Sequence, residues 1–256
     1  MSVTDFVPEP LRGVGRRLLA AAGLLEVFRS LRTKLELELF NRQQNRLTEE
    51  QISGIYKRQY HVDADYGLTH SGGSGWKPDS AIKDAHARAV MGTLPGIRKV
   101  LVGGCSSGMA VAAFRRLGVD AWGFDISPDL EEIVMPEVRD FVCRGSMLAM
   151  PFGPADGFDC LVTTDVLEHV QLKNIERMTD EIGRLDCRWM AHIINHTSMQ
   201  PDHMTLKPLS WWAVRLSRYY VLRSDLRAPE SGDPGIYGLN GDPLHIFTFW
   251  ERRRKE

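Results

Sequence analysis

The segment Lys99-Val100-Leu101-Val102-Gly103-Gly104-Cys105-Ser106-Ser107-Gly108 decides how the chain folds. Its first half is an apolar run of strand length and its second is a turn of small residues. A helical pattern follows through Ala110, Ala112, Phe114 and Leu117. Strand, tight turn and helix in that order predict the opening unit of a parallel α/β sheet. A second apolar run, 121–124, ends on Asp125, seventeen residues beyond Gly108. A parallel second strand would carry that carboxylate to the edge where the turn lies, an arrangement suited to a nucleoside-bearing cofactor.

The alternation continues downstream. Strands are predicted at 121–125, 141–144, 160–164 and 189–194, separated by helical patterns, which calls for a parallel sheet covered on both faces. Two last apolar runs, 219–222 and 245–250, flank a turn-rich insert holding Pro229, Gly232, Pro234, Gly235 and Gly241. Residues 1–92 read as a helical extension and lid, and 93–256 as the cofactor-binding domain. Within the lid, Thr48 with Gln51 three residues later predicts a capped helix through Ile52, Ile55 and Tyr56. Asp79 is placed to cap another through Ile82, Ala85, Ala89 and Val90. Between them Tyr60, His61, Tyr66, His70 and Trp76 are interspersed with glycines. They are candidates to close over a ligand, or else buried aromatics of a cap. The run 71–77 lacks the G-x-x-x-x-G-K-[ST] spacing of a phosphate loop and reads as a lid segment.

Four stretches in order, VLVGGCSSG at 100–108, FDIS at 124–127, GSMLAMPF at 145–152 and FDCLVTTDVLEHV at 158–170, resemble the class I S-adenosylmethionine-dependent methyltransferases. The resemblance covers about 99–195 well. It implies a doubly wound, mostly parallel, Rossmann-like sheet of seven strands with an antiparallel edge, an N-terminal helical cap, and S-adenosylmethionine as cofactor. It further implies cofactor contacts from Gly104, Cys105, Ser106 and Gly108 in the turn, and from Asp125 and Ile126 after strand two. Ser146 and Met147 would meet the adenine, and Asp165 would stand at the end of strand four. Each role has a physical basis. Glycines admit a close ligand approach, a helix start favours a carboxylate, and an acid at the strand tip can accept both ribose hydroxyls. The chain departs from the family pattern at Val102 and Ser146, where acids are usual. Those departures motivate a second reading, a catalytically silent scaffold subunit. A nicotinamide-dependent oxidoreductase is a third, although Gly104 and Gly108 alone do not make a G-x-G-x-x-G fingerprint.

Methyl transfer from a sulfonium is an in-line displacement needing alignment and, for a hydroxyl or ammonium acceptor, one base. The segment 196–212, HTSMQPDHMTLKPLSWW, resembles the stretch with which small-molecule methyltransferases line the acceptor pocket. His203 is the first candidate base and His169, after strand four, the second. Tyr66, His70, Trp76, Trp211 and Trp212 are the candidate acceptor contacts, with one of the paired tryptophans expected to pack in the core.

Composition bounds the partners. The chain has 256 residues, 43% hydrophobic and 25% charged, with a net charge of −1, which gives no basic field for nucleic acid and points to a small molecule. Together with the resemblance, this implies a small-molecule acceptor of O- or N-methylation in metabolite biosynthesis. Cys105, Cys143, Cys160 and Cys187 form no C-x-x-C pair, so they read as reduced core thiols of a cytoplasmic protein and not as a metal site. No run of about 18 apolar residues predicts a membrane span. Region 11–40 carries Arg12, Arg16, Arg17, Arg29, Arg32 and Lys34 among leucines at helical spacing. It would pack on its own domain, on a twin subunit in a homodimer, or peripherally on anionic membrane.

Overall fold

The computed structural model describes residues 45–62, 80–195, 202–228 and 247–253, with isolated positions between 31 and 42. The chain divides into two compact units, Met1–Gln43 and Gln44–Glu256, and the following concerns the second. Tyr66, His70, Trp76, Asp79, the glycine-rich run and most of 11–40 lie outside the described residues.

In chain order the elements are α1 (Glu49–Ile55), α2 (Arg58–Val62), α3 (Ser80–Thr93), β1 (Lys99–Gly103), α4 (Met109–Arg116), β2 (Asp120–Asp125), α5 (Leu130–Ile133), β3 (Val142–Arg144), β4 (Cys160–Thr164), α6 (Ile175–Leu185), β5 (Trp189–Ile193), α7 (Leu209–Leu216), β6 (Tyr220–Leu222) and β7 (Thr248–Arg252). The sheet has 7 strands in the order β3-β2-β1-β4-β5-β7-β6. β1 to β5 run parallel, and β7 enters antiparallel between β5 and β6. The expected doubly wound sheet with an antiparallel edge is therefore present.

Alternation along β1 explains why both faces are covered. Val100 and Val102 point into one core with Ala87 and Val90 of α3 and Val111 to Phe114 of α4. Leu101 points into the other, with Ile175, Met178, Ile182 and Leu185 of α6 and Trp212 and Leu216 of α7. A third, smaller cluster joins Ile52 and Tyr56 of the lid helices to Met204, with Ile126 packed against it. Thr48 caps α1 as expected, accepting from the Gln51 amide while the Gln51 side chain accepts from the Thr48 amide. The segment after β4 does not enter a helix at once. Leu167–His169 is a 3₁₀ turn, Leu172–Asn174 is another, and the helix begins only at Ile175. The free cysteines Cys105, Cys160 and Cys187 are buried, and burial pushes the Cys187 thiol up to about 12.

His192, on β5 between β4 and β7, is fully buried. Its Nδ1 lies 2.8 Å from Thr163 Oγ1 on β4, and its Nε2 has no partner among the described residues. Burial lowers its pKa to about 3. The unfolded imidazole titrates near ~6.5, so as pH falls the unfolded chain takes up the proton first and stability is lost between those two values. Between pH 7 and pH 5 this residue alone should remove about 2 kcal/mol of unfolding free energy, a component that His192→Gln lacks. Denaturant titrations at both pH values test this, and equal pH dependence in the two proteins would exclude it.

Candidate functional site

The candidate site is assembled at the carboxyl edge of the sheet from the loops after β1, β2, β3, β4 and β5 together with α1 and α2. After β1, Gly104 turns with φ +65, and a Cβ there would lie 2.5 Å from Val166 Cγ2, so only glycine fits. Gly108, at φ +84, precedes α4 with no side-chain cap, which leaves first-turn amides of that helix for a ligand. Ser106 adopts φ 50 and donates its amide to Asp125 Oδ2 at 2.7 Å. The other Asp125 oxygen accepts from the Ser127 amide at 2.9 Å. Asp125 thus ties the β1 turn to the exit of β2, and the remaining lone pairs of its two oxygens are the ones a ribose could use.

Beside it a cavity of ≈ 660 Å³ is lined by Glu49, Ser53, Ile126, Arg144 and Ser146 among others. That size suits a nucleoside-bearing cofactor, and the cavity lies between the loops after β2 and β3. Ile126 and Ser146 line this cavity. Met147 does not: it is 7% exposed and packed in the α6-side core with its sulfur against Gly103, so it has no face to lay on a purine. Cys105 likewise turns its side chain into the core, leaving its backbone to the turn.

The second half of the site centres on the DVLEHV stretch. Asp165 ends β4 in the left-handed region at φ 55, and the Lys83 ammonium donates to the neighbouring Thr164 Oγ1 at 2.9 Å. Burial pulls Lys83 down, against the opposing pull of Asp165. Glu168 is wholly buried. Its carbonyl accepts the amides of Met204 and Thr205, each at 2.8 Å, and its Oε1 accepts the Asn195 amide at 2.9 Å. Burial, then the charge of Asp165, raises its pKa well above the usual carboxylate range. These bonds bring 202–206 onto the 3₁₀ turn and put the rings of His169 and His203 4.8 Å apart, edge to face at 87°. His169 Nδ1 lies 3.0 Å from the Asp202 carbonyl and 3.4 Å from Asp202 Oδ2. Nδ1 thus faces two oxygens of Asp202 and, at 2.9 Å, the Tyr56 hydroxyl; when its hydrogen is turned to the Asp202 carbonyl, Nε2 carries the lone pair. Burial pushes Asp202 up, but the His169 and His203 charges and the Tyr60 hydroxyl outweigh it and hold the carboxyl low.

Helices α1 and α2 bond to the loops after β1, β2, β4 and β5. The Ser53 hydroxyl donates to the Ile126 carbonyl at 3.0 Å, and the Arg58 amide donates to Asp129 Oδ2 at 2.8 Å. His61 Nδ1 meets Ser106 Oγ at 2.7 Å. Tyr56 Oη meets His169 Nδ1 at 2.9 Å, and the Tyr60 hydroxyl donates to Asp202 Oδ2 at 2.8 Å.

The model of the family described as a methyltransferase domain matches residues 75–204, half of the chain. The chain belongs to the class I S-adenosylmethionine-dependent methyltransferases. Among solved structures, the fold of this methyltransferase is similar to an S-adenosylmethionine-dependent methyltransferase from Archaeoglobus fulgidus, at 12% identity and a TM-score of 0.52, with 73% of this chain and 98% of that one covered. It is also similar to the 1,6-didemethyltoxoflavin-N1-methyltransferase of Burkholderia thailandensis, at 15% identity and a TM-score of 0.51, covering 74% and 85%. No curated protein matches the chain in sequence.

Of the expected acceptor contacts, Trp212 is fully buried in the α6-side core and presents no surface to a substrate. This corrects its assignment, as the paired-ring argument anticipated for one of the two. Trp211 is half-buried with the Arg215 guanidinium 4.0 Å from its ring centre. Tyr56 and Lys83 went unread as site residues, because each looks like an ordinary helix side chain until the fold shows what it faces. Asp125→Ala should weaken S-adenosylmethionine binding roughly 10- to 150-fold, the worth of a lost charged hydrogen bond. Calorimetric titration beside a melting curve checks it, and an unchanged affinity in a folded variant would remove the ribose role.

Proposed function

We propose that this methyltransferase acts on an oxygen or nitrogen atom of a small molecule, a sugar-containing or secondary metabolite, in the cytoplasm. The observation that carries the reading is the cluster of His169, His203 and Asp202 beneath Tyr56 and Tyr60. Asp202 and both histidines are almost wholly enclosed, and an enclosed cluster suits a small acceptor better than a nucleic-acid duplex. The net charge of −1 agrees, since phosphate binding needs a basic field.

The residues proposed to hold the cofactor are Gly104, Ser106, Gly108, Asp125, Ile126, Ser146 and Asp165, with the backbone of Cys105. The ≈ 660 Å³ cavity and the uncapped start of α4 are the features that fit it. S-adenosylmethionine supplies an electrophilic methyl group. The chain's own task is then to orient the acceptor, exclude water and take a proton. His169 is the proposed base: with its Nδ1 hydrogen turned to the Asp202 carbonyl, Nε2 is basic, and His203 lines the same space. In this reading α1 and α2 cover the site and supply the tyrosines that back the base.

His169→Gln should lower turnover about a hundredfold or more while leaving cofactor affinity unchanged. An acceptor screen with single-turnover kinetics measures this. A variant of full activity would move the role to His203, and weakened cofactor binding would mean that the residue is structural.

A further inference from the structure

Glu168, His169 and His203 place three donor atoms within 4.8 Å of one another, two imidazoles and one carboxylate. We propose that they form a binding site for one divalent transition-metal ion of the zinc class. Two imidazoles and a carboxylate are a donor set for such an ion and leave coordination positions open.

Three further observations support the site. With metal–nitrogen distances of ~2.0–2.1 Å, two imidazoles on one ion bring their ring centres to roughly 4.5–5.3 Å, and the His169 and His203 rings are 4.8 Å apart. Glu168 uses Oε1 on the Asn195 amide, while its buried Oε2 has no partner among the described residues. A buried carboxylate oxygen without a donor is costly, and a cation satisfies it. Finally, His169 has the outer support that ligating histidines use, its Nδ1 held among the Asp202 carbonyl at 3.0 Å, the Tyr56 hydroxyl at 2.9 Å and the Asp202 carboxylate behind. That leaves Nε2 for the ion, and Tyr60 in turn holds Asp202 at 2.8 Å. An ideal tetrahedral ion needs donor atoms about 3.3 Å apart, so small side-chain rotations complete the site.

The consequence for catalysis rests on the reading of His169 as the base. An ion on Nε2 takes the lone pair that would accept the acceptor's proton, so occupancy would switch methyl transfer off.

The test is titration of the purified full chain with Zn²⁺ by calorimetry and with Co²⁺ by visible absorption. The expected result is one equivalent of tightly held ion and a ligand-field spectrum for bound Co²⁺. His203→Gln and Glu168→Gln should each weaken uptake about tenfold or more, and Asp202→Asn, which leaves all three ligands in place, by about 10- to 100-fold. Circular dichroism shows whether each variant is folded, and His86→Gln, a histidine outside the cluster, should bind as the parent does. Absence of stoichiometric uptake, or uptake unchanged in the folded variants, would overturn the site. Uptake without inhibition of methyl transfer would overturn the base reading of His169 and leave the ion site standing. No uptake together with a slow His169→Gln variant would do the reverse.

Discussion

β1 and β4 lie side by side and parallel, yet the chain leaves them in opposite directions. After β1 it climbs into α4 on one face of the sheet, and after β4 it turns toward α6 on the other. Two connections that diverge cannot fill the space above the strands they leave, so a crevice opens at their carboxyl ends. The other site elements are arranged around that crevice. Asp125 ties its near wall to the β2 exit, the ≈ 660 Å³ cavity lies beside it, and the lid helices bridge its mouth.

The polar cluster depends on a second constraint, the burial of Glu168. A residue with its carbonyl accepting two amides and its carboxyl a third cannot move without exposing three unsatisfied donors. This fastens the segment bearing Asp202 and His203 to the turn bearing His169. Tyr56 and Tyr60 complete the arrangement from the lid. Burial raises the pKa of both hydroxyls, followed in each case by the effect of Asp202, so both remain protonated hydrogen-bonding groups. The histidine pair is thus held by charge-bearing and neutral partners together.

Much of this was legible in the chain itself. The strands β1, β2, β4 and β5 fall within one residue of the apolar runs that predict them, because a buried parallel strand must be continuously apolar. Thr48 with Gln51 announces its helix by chemistry confined to four residues. Met147 was misread for a related reason. It follows Ser146 in a loop, and adjacency alone does not reveal that one residue lines a cavity while the next packs against Gly103. At Leu167–His169 the composition suits a helix, yet the backbone forms a 3₁₀ turn from which Glu168 reaches the Asn195 amide.

The sequence by itself determined the layers, the positions of the parallel strands, the glycine turn and the acid at the tip of β2, because each follows from local periodicity or from short-range steric needs. Only the tertiary structure decided which side chains meet. Tyr60 and Asp202 are 142 residues apart, Tyr56 and His169 113, and Glu168 and Asn195 27. Such pairings are set by the crossing of loops over a shared sheet edge, and no spacing along the chain encodes them. The histidines could be named from their positions after β4 and β5, but their closeness and their carboxylate support are properties of the folded edge.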